Sequence, residues 1–418
     1  MVEGSARGPR CGHGVQADAV KLFALKMLFG DVAKFYGILL GLTFASLLIS
    51  QQSSIFVGLM SRTVGFVRDT GQADLWVVDP DKTFVDDQKP LRDTEVDRVR
   101  SVTGVAWAVP LYKGLLSAKL PSGERETCDV IGIDDATLIG GPPRLIEGHV
   151  EDLRRPDAIV IDAASRGRKL ALPAQLPIGE VTLEFDPNDA TAARRPMAVG
   201  DILELNERRA IVVGIAETTP TFQSQPVIYT TYTRARQFAP PNRRTASIVL
   251  VKALEGVAPA ELAERIERET GLLAFTPQEF SWRTIGYWVG QTGIPINFGI
   301  AIGLGFLVGV AIAGQMFYNF TLDNLKYFGA MKAMGASTQR LLGMVALQAL
   351  VAAVLGLGIG LGITSLFGLS VPGNRLAFRM LWHIPMITAG AVTIICVGSA
   401  LLSMIRVVRL DPAEVFKT

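Results

Sequence analysis

Four long stretches without a charged residue constrain this chain more than any other feature. They cover residues 35–60, 294–322, 341–371 and 384–405, and none of them contains Asp, Glu, Lys, Arg or His. Each stretch is at least as long as the roughly 20 apolar residues that a helix needs to cross the hydrocarbon core of a bilayer. The sequence therefore predicts four transmembrane helices.

The residues between the first and second stretches, 61–293, have an ordinary mixed composition. Short runs rich in β-branched residues predict strands at 73–78, 105–109, 115–120, 129–133, 158–162, 201–206, 209–216 and 247–252. Helical periodicity predicts helices at 93–101 and 259–270. The fold class is thus membrane α-helical, arranged one plus three, with a large α+β extracytoplasmic domain inserted between helices 1 and 2. The segment 123–209 is expected to be inserted or folded separately, and the strand order stays open.

Positive charge before the first stretch predicts the orientation. Lys21, Lys26 and Lys34 lie ahead of it, and lysines are retained on the cytoplasmic side. Counting crossings places the link 323–340 and the tail 406–418 in the cytoplasm and the loop 372–383 outside. That loop also carries Arg375 and Arg379, which reduces the difference in positive charge between the two sides. The orientation therefore rests on the requirement that the large domain lies on one side of the membrane. We expect a multi-pass protein of the cell inner (plasma) membrane with both termini cytoplasmic.

The first 34 residues divide into two segments. Residues 1–17 are Gly-rich and polar and predict a disordered cytoplasmic tail. Residues 18–34 have apolar positions at helical spacing, which predicts either an amphipathic helix at the membrane surface or the first turns before the span. A signal peptide does not fit, since the apolar run starts too late and is too long.

Small residues, rather than ionisable ones, mark the four stretches. Without buried ionisable groups the stretches do not suit a proton- or sodium-driven carrier. Glycines recur four residues apart and predict close helix packing, within one chain or in a homodimer. The pairs are Gly37 with Gly41, Gly299 with Gly303, and Gly356 with Gly360.

No motif for catalysis is visible. The chain has no HExxH or GxSxG sequence, and it contains no Gly-Lys dipeptide, so it lacks the phosphate loop of an ATPase. His149 in a Gly/Pro-rich loop fits a solvated histidine better than a metal ligand, and the three cysteines are too far apart for a paired motif. A net charge of +2 offers no basic face for nucleic acid. We expect no enzyme activity and no directly bound cofactor or metal.

Three short segments resemble a known family. They are ADLWVVDP (residues 73–80), DNLKYFGAMKAMGAS (323–337) and RLDPAEVFK (409–417). Together with the one-plus-three order of spans, they resemble the MacB/FtsX-like permeases of ABC transporters, and within that group the DevC-type permeases associated with glycolipid export. The resemblance implies that a separate ATPase subunit binds ATP and Mg²⁺ and that the permease works as a dimer. In tripartite members the outside domain also meets a periplasmic adaptor and an outer-membrane channel.

In this family the link between the second and third spans resembles a coupling helix that docks on the ATPase. The implied docking positions are Tyr327, Phe328, Met331, Lys332, Met334 and Gly335. Tyr327 departs from the many relatives that have Glu there, and an aromatic contact would take the place of a salt bridge. Gly335 suits the left-handed residue that ends a helix.

Three functions compete at this point. The leading interpretation is an exporter permease that transmits ATPase motion to its outside domain, for a lipid-like or other amphiphilic substrate. The alternative is an FtsX-like regulator that transmits the same motion to an extracytoplasmic partner without transport. The third is a membrane-anchored receptor or enzyme without an ATPase. The sequence leaves the substrate open.

Overall fold

The computed structural model describes residues 24, 26–174, 193–371 and 376–408, with the backbone alone for 404–408. The predicted tail 1–17 and the 409–417 motif lie outside these residues. The described chain forms two compact units, a helical unit (residues 1–58 and 294–418) and a sheet unit (residues 59–293).

The helices run in chain order as follows. They are α1 (Val32–Thr63), α2 (Gly65–Asp69), α3 (Asp93–Arg100), α4 (Ala163–Arg166), α5 (Tyr232–Phe238), α6 (Pro259–Thr270), α7 (Pro277–Gln291), α8 (Ile294–Asp323), α9 (Leu325–Ala333), α10 (Thr338–Ser370) and α11 (His383–Val408). By length and composition α1, α8, α10 and α11 could cross a membrane. Because α1 precedes every strand and the other three follow them, the predicted one-plus-three fold is confirmed.

The strands belong to the sheet unit. They are β1 (Leu75–Val78), β2 (Val105–Lys119), β3 (Arg125–Ile133), β4 (Arg144–Glu147), β5 (Ala158–Asp162), β6 (Leu172–Pro173), β7 (Arg194–Arg195), β8 (Ile202–Leu205), β9 (Arg208–Glu217), β10 (Val227–Thr231), β11 (Ile248–Ala253) and β12 (Leu273–Phe275). Ten of them form one sheet in the order β12-β1-β11-β2-β3-β10-β5-β9-β4, with β8 pairing to β2 and β9. The predicted strand 158–162 and helix 259–270 coincide with β5 and α6.

Strand β2 joins the two halves of the sheet. Its residues 105–111 pair antiparallel with β11, and its residues 112–119 pair antiparallel with β3. Pro110 lies in the half that pairs with β11, so its missing N–H breaks no bond to β3. The two strands predicted at 105–109 and 115–120 are therefore parts of one. The segment 123–209 is not a separate fold, because it supplies β3, β4, β5 and β8 to this sheet.

Alternation along the strands builds a core on each face of the sheet. Leu75 and Val77 of β1 pack in one cluster, while the intervening Trp76 packs in the other. Side chains of successive residues in a strand point to opposite faces, so two buried faces require apolar residues at every position of β1. The sheet unit thus has a layer of packing on both sides.

The core of the helical unit lies between its long helices. Ile38 and Leu42 of α1, Phe317 of α8, Ala352 of α10 and Ile395 of α11 are buried in one cluster. The hydroxyls of Ser50 on α1 and Thr364 on α10 form a buried hydrogen bond of 2.8 Å.

Candidate coupling site

Helix α9 occupies the polar link 323–340 and is fixed at its start by Asn324. The backbone N–H of Phe328 donates to the carbonyl of Asn324 at 3.1 Å, and Asn324 Nδ2 donates to the carbonyl of Phe320 at 2.8 Å. The turn between α8 and α9 therefore satisfies its own polar groups, as a helix end requires.

Gly335 ends α9 in the left-handed region, with φ of +92°. Its N–H donates to the carbonyl of Lys332 at 3.1 Å, and the N–H of Ala336 donates to the carbonyl of Met331 at 3.0 Å. These two bonds form a Schellman motif, in which a glycine adopts a positive φ without steric cost. The predicted helix cap at Gly335 is confirmed.

The six predicted docking positions differ in exposure. The side chain of Met334 is 80% exposed and that of Tyr327 is 59% exposed, and Gly335 is also at the surface. Met331 and Lys332 are half-buried. The exposed members could contact another protein, and their docking role stays a prediction.

Phe328 is not available to contact an ATPase in this conformation, because its side chain is fully buried. It packs in the core of the helical unit in one cluster with Phe317, Leu341 and Met344. The aromatic residue anchors α9 to the neighbouring helices instead. The spacing of apolar residues in so short a helix did not show which of them faces inward.

Two contacts near the link were missed by the sequence analysis. The ammonium of Lys34, at the start of α1, forms ion pairs with Asp31 and with Asp323, at the end of α8. Gln348 of α10 is fully buried, and its Nε2 donates to the carbonyl of Ala24 at 2.8 Å. A glutamine inside an uncharged stretch was the available signal for a buried polar contact, but it suited the membrane interface equally well.

The segment predicted as an amphipathic helix, 18–34, is described only in part. Residues 26–30 are helical and are followed by a bend at Asp31. Leu28 is fully buried against Phe35 and Phe320. The apolar side chain at this position is thus covered by protein within the helical unit.

Four of the six predicted packing glycines lie at close helix contacts. A Cβ built on Gly37 or Gly41 would lie 2.9 Å from Met316 or 2.6 Å from Ile312, both on α8. On α10, a Cβ on Gly356 or Gly360 would lie 2.6 Å from α1. Close approach of α1 to both helices therefore depends on these glycines.

Gly299 and Gly303 of α8 are different. No described atom lies within 4 Å of a Cβ built on either residue. Within one chain the close contacts of α8 are made instead at Gly305, beside Leu48, and at Gly309, beside Ala45. Of the two possibilities for Gly299 and Gly303, packing within the chain is not seen among the described residues, and a role between chains stays a prediction.

The described residues give no sign of metal chemistry. None of their His, Cys, Asp and Glu side chains form a group of three that could hold an ion. His149 is 85% exposed, and its backbone N–H donates to Asp152 at 3.0 Å as a short helical turn begins. Cys128 and Cys396 are buried and unpaired, while Cys11 lies outside the described residues.

Two family models match this chain. The MacB-like periplasmic core domain matches residues 37–269, which is more than half of the chain, and the FtsX-like permease C-terminal model matches residues 282–412. The two matches follow one another and together cover most of the sheet unit and most of the four long helices.

Other proteins are similar to this chain at lower sequence identity. Uncharacterized ABC transporter permeases from two strains of Mycobacterium tuberculosis are each 26% identical over 341 residues, covering 78% of this chain and 79% of the relative. The periplasmic region of MacB from Actinobacillus actinomycetemcomitans is 14% identical, covers 51% of this chain and 92% of its own, and has a TM-score of 0.34. The extracellular domain of the ABC-type transporter YknZ from Gram-positive bacteria is 12% identical, covers 49% and 98%, and has a TM-score of 0.30.

Proposed function

Because this chain belongs to the MacB- and FtsX-like family of ABC transporter permeases, we propose that it couples ATP hydrolysis in a separate ATPase subunit to movement of its sheet unit. The movement serves export of a lipid-like or other amphiphilic substrate from the cell inner membrane. In this proposal the two ends of the chain and α9 are cytoplasmic, and the sheet unit lies outside. A periplasmic adaptor and an outer-membrane channel would complete a tripartite assembly.

The observation that carries this proposal is the combination of exposure and anchoring in α9. Met334 and Tyr327 offer apolar surface to a partner, while Phe328 on the same helix is buried among residues of α8 and α10. Interfaces rely on a few large side chains, with aromatic residues and methionine enriched among them. A partner that moves α9 would move the ends of two long helices with it.

The test replaces Met334 by Asp in the full chain, purified with the ATPase subunit that accompanies the wild-type protein. A carboxylate at a buried contact loses its hydration, so stimulated ATP hydrolysis should fall by about tenfold or more. Met334→Leu is the matched control, because it retains an apolar side chain, and it should keep the wild-type rate.

Phe328→Asp separates folding from docking. A carboxylate at this buried position should lower the amount of folded protein, whereas Met334→Asp should leave it unchanged, as judged by size-exclusion chromatography. Wild-type stimulation by a folded Met334→Asp variant would remove α9 as the coupling element.

A further inference from the structure

A cavity of about 210 Å³ opens inside the sheet unit and was not marked by any sequence motif. Three aromatic side chains, Phe84, Phe222 and Trp288, form its wall, and three ionisable ones, Asp86, Lys113 and Asp129, lie together at its side. It is smaller than the roughly 300–1,000 Å³ of sites for drug-sized ligands. The cavity therefore suits one head group rather than a whole amphiphile.

The aromatic wall is held in place by ring packing. The rings of Phe222 and Trp288 stack with centroids 4.3 Å apart, and those of Phe84 and Tyr287 stack at the same distance. Phe84 also meets Trp288 edge-on at 5.8 Å. Each ring is thus fixed by a neighbour, so the wall exists without a ligand. Aromatic faces attract cations through the ring quadrupole.

The ionisable group has two carboxylates and one ammonium. Lys113 Nζ lies 2.7 Å from Asp86 Oδ1 and also contacts Asp129 Oδ2, and it sits 5.3 Å from the ring centroid of Phe66. Burial lowers the pKa of Lys113, but the two carboxylates outweigh it and raise the pKa above its ordinary value. This corner of the cavity thus already holds one ammonium group between two carboxyl groups.

Asp129 has an unused acceptor. The residue is only 4% exposed, and its Oδ1 has no hydrogen-bond partner among the residues that the structure describes. Burial raises the pKa of Asp129, because the charged form loses hydration, although Lys113 opposes this effect. A buried acceptor without a donor has an energetic cost, which is larger if the group is charged. An N–H donor carrying positive charge would remove this cost, and an anion would increase it.

We propose that this cavity binds the primary ammonium head group of an organic cation, with N–H groups directed to Asp129 and Asp86 and adjoining carbon atoms against Phe222 and Trp288. Trp288 lies on α7, which only Thr292 and Gly293 separate from α8. The head group could belong to an aminophospholipid or to a free amphiphilic amine. If the bound cation is cargo, this inference rests on the proposed export function.

The experiment uses the full chain in phosphatidylcholine nanodiscs without any ATPase, so its failure is distinct from a failure of coupling. The probe is 2-phenylethylammonium, which is soluble in water, and binding is measured by saturation-transfer NMR. We expect 2-phenylethylammonium to bind, and the neutral 2-phenylethanol and the anionic phenylacetate to bind at least about tenfold more weakly. Equal binding of all three probes would overturn the proposal.

Two matched substitutions test the site itself. Asp86→Asn removes a carboxylate from the cavity and should weaken binding of the ammonium probe about tenfold. Asp97→Asn makes the same change on α3, outside the cavity, at a side chain that is 78% exposed, and should leave binding unchanged. Unchanged binding by an Asp86→Asn variant with the wild-type unfolding temperature would also overturn the proposal.

A change of lipid identifies the source of the head group. Nanodiscs containing phosphatidylethanolamine present a primary ammonium, whereas phosphatidylcholine presents a trimethylated one that has no N–H donor. If the lipid is the natural ligand, phosphatidylethanolamine should raise the apparent dissociation constant of the probe in the wild type. If a free amine is the ligand, the constant should be the same in both lipids while the effect of Asp86→Asn persists.

Discussion

The ammonium group of Lys82 is buried in the sheet unit, where the residue is 1% exposed. Its Nζ donates to the backbone carbonyl of Asp87. Burial, reinforced by the positive charge of Lys113, lowers the pKa of Lys82 to about 8. A protonated lysine in such a place destabilises the folded state, and the effect depends on pH in a definite direction.

Between the lowered pKa of about 8 and the ordinary value of 10.5, the folded state holds fewer protons than the unfolded state. The free energy of unfolding should therefore rise with pH through this window, by roughly 3 kcal/mol in all. Lys82→Met removes the titrating group, so its stability should change less between pH 8 and 10. Tryptophan fluorescence during thermal unfolding of the full chain measures both proteins. Equal pH slopes in the two would contradict the assigned direction.

At the scale of elements, the contact between α1 and α10 depends on single glycines. A Cβ on Gly356 would lie 2.6 Å from Leu42 Cβ and 3.3 Å from the backbone nitrogen of Thr43. A Cβ on Gly358, two residues further along α10, would meet no described atom within 4 Å. A glycine is therefore needed for the helix contact at position 356, whereas position 358 has room for a side chain.

Gly356→Leu should force α1 and α10 apart and destabilise the helical unit by about 1–3 kcal/mol or more. Gly358→Leu adds the same side chain to the same helix and should have little effect. The yield of monodisperse protein in detergent and its unfolding temperature compare the two variants. A similar loss in both would show that glycine at these positions matters for a reason other than helix contact.

This contrast shows how far sequence predicts such elements. The spacing of small residues correctly indicated close packing at Gly37 and Gly356, but Gly299 and Gly303 have the same spacing and no described atom within 4 Å of a Cβ built on them. Likewise, periodicity located α6 and β5, yet α9 gave no sign that Phe328 faces inward. The local sequence pattern shows which faces of a helix are able to pack against a neighbour. The arrangement of the other helices decides which of these faces is covered.

At the scale of the whole molecule, α8 presents an apolar face that no described residue covers. Ile296, Ile300, Leu304 and Leu307 are each more than half exposed, and Gly299 and Gly303 lie among them at helical spacing. Small residues beside large apolar ones permit close approach of two helices in a bilayer. The expected homodimer would use this face.

A single cysteine tests the dimer. In a chain whose three native cysteines are replaced by alanine, Gly299→Cys should form disulfide-linked dimers in membranes, since a symmetric contact brings the two Cβ atoms within about 4 Å. Gly358→Cys, on an equally open position of α10, should remain monomeric on a non-reducing gel. Equal cross-linking at both positions would indicate random collision rather than a specific interface.

The sheet shows why the overall topology was harder to predict than its parts. Most strands were found from their β-branched runs, but β2 was divided in two because it contains Pro110 and Gly114. Its change of partner, from β11 to β3, joins segments that lie more than a hundred residues apart in the chain. Pairing between such distant segments leaves no local pattern, so the strand order could not be predicted.

The closed turn at Gly335 has a mechanical consequence. Both carbonyls at the end of α9 are tied back by hydrogen bonds, and only Ala336 and Ser337 separate Gly335 from α10. Because this connection is short and hydrogen-bonded, we expect it to be rigid, so that a displacement of α9 also displaces the start of α10. If α9 couples to an ATPase as proposed, a few extra residues after Ala336 would uncouple the two processes. ATP hydrolysis would continue, but the displacement of α9 would no longer be transmitted through α10 to the other side of the membrane.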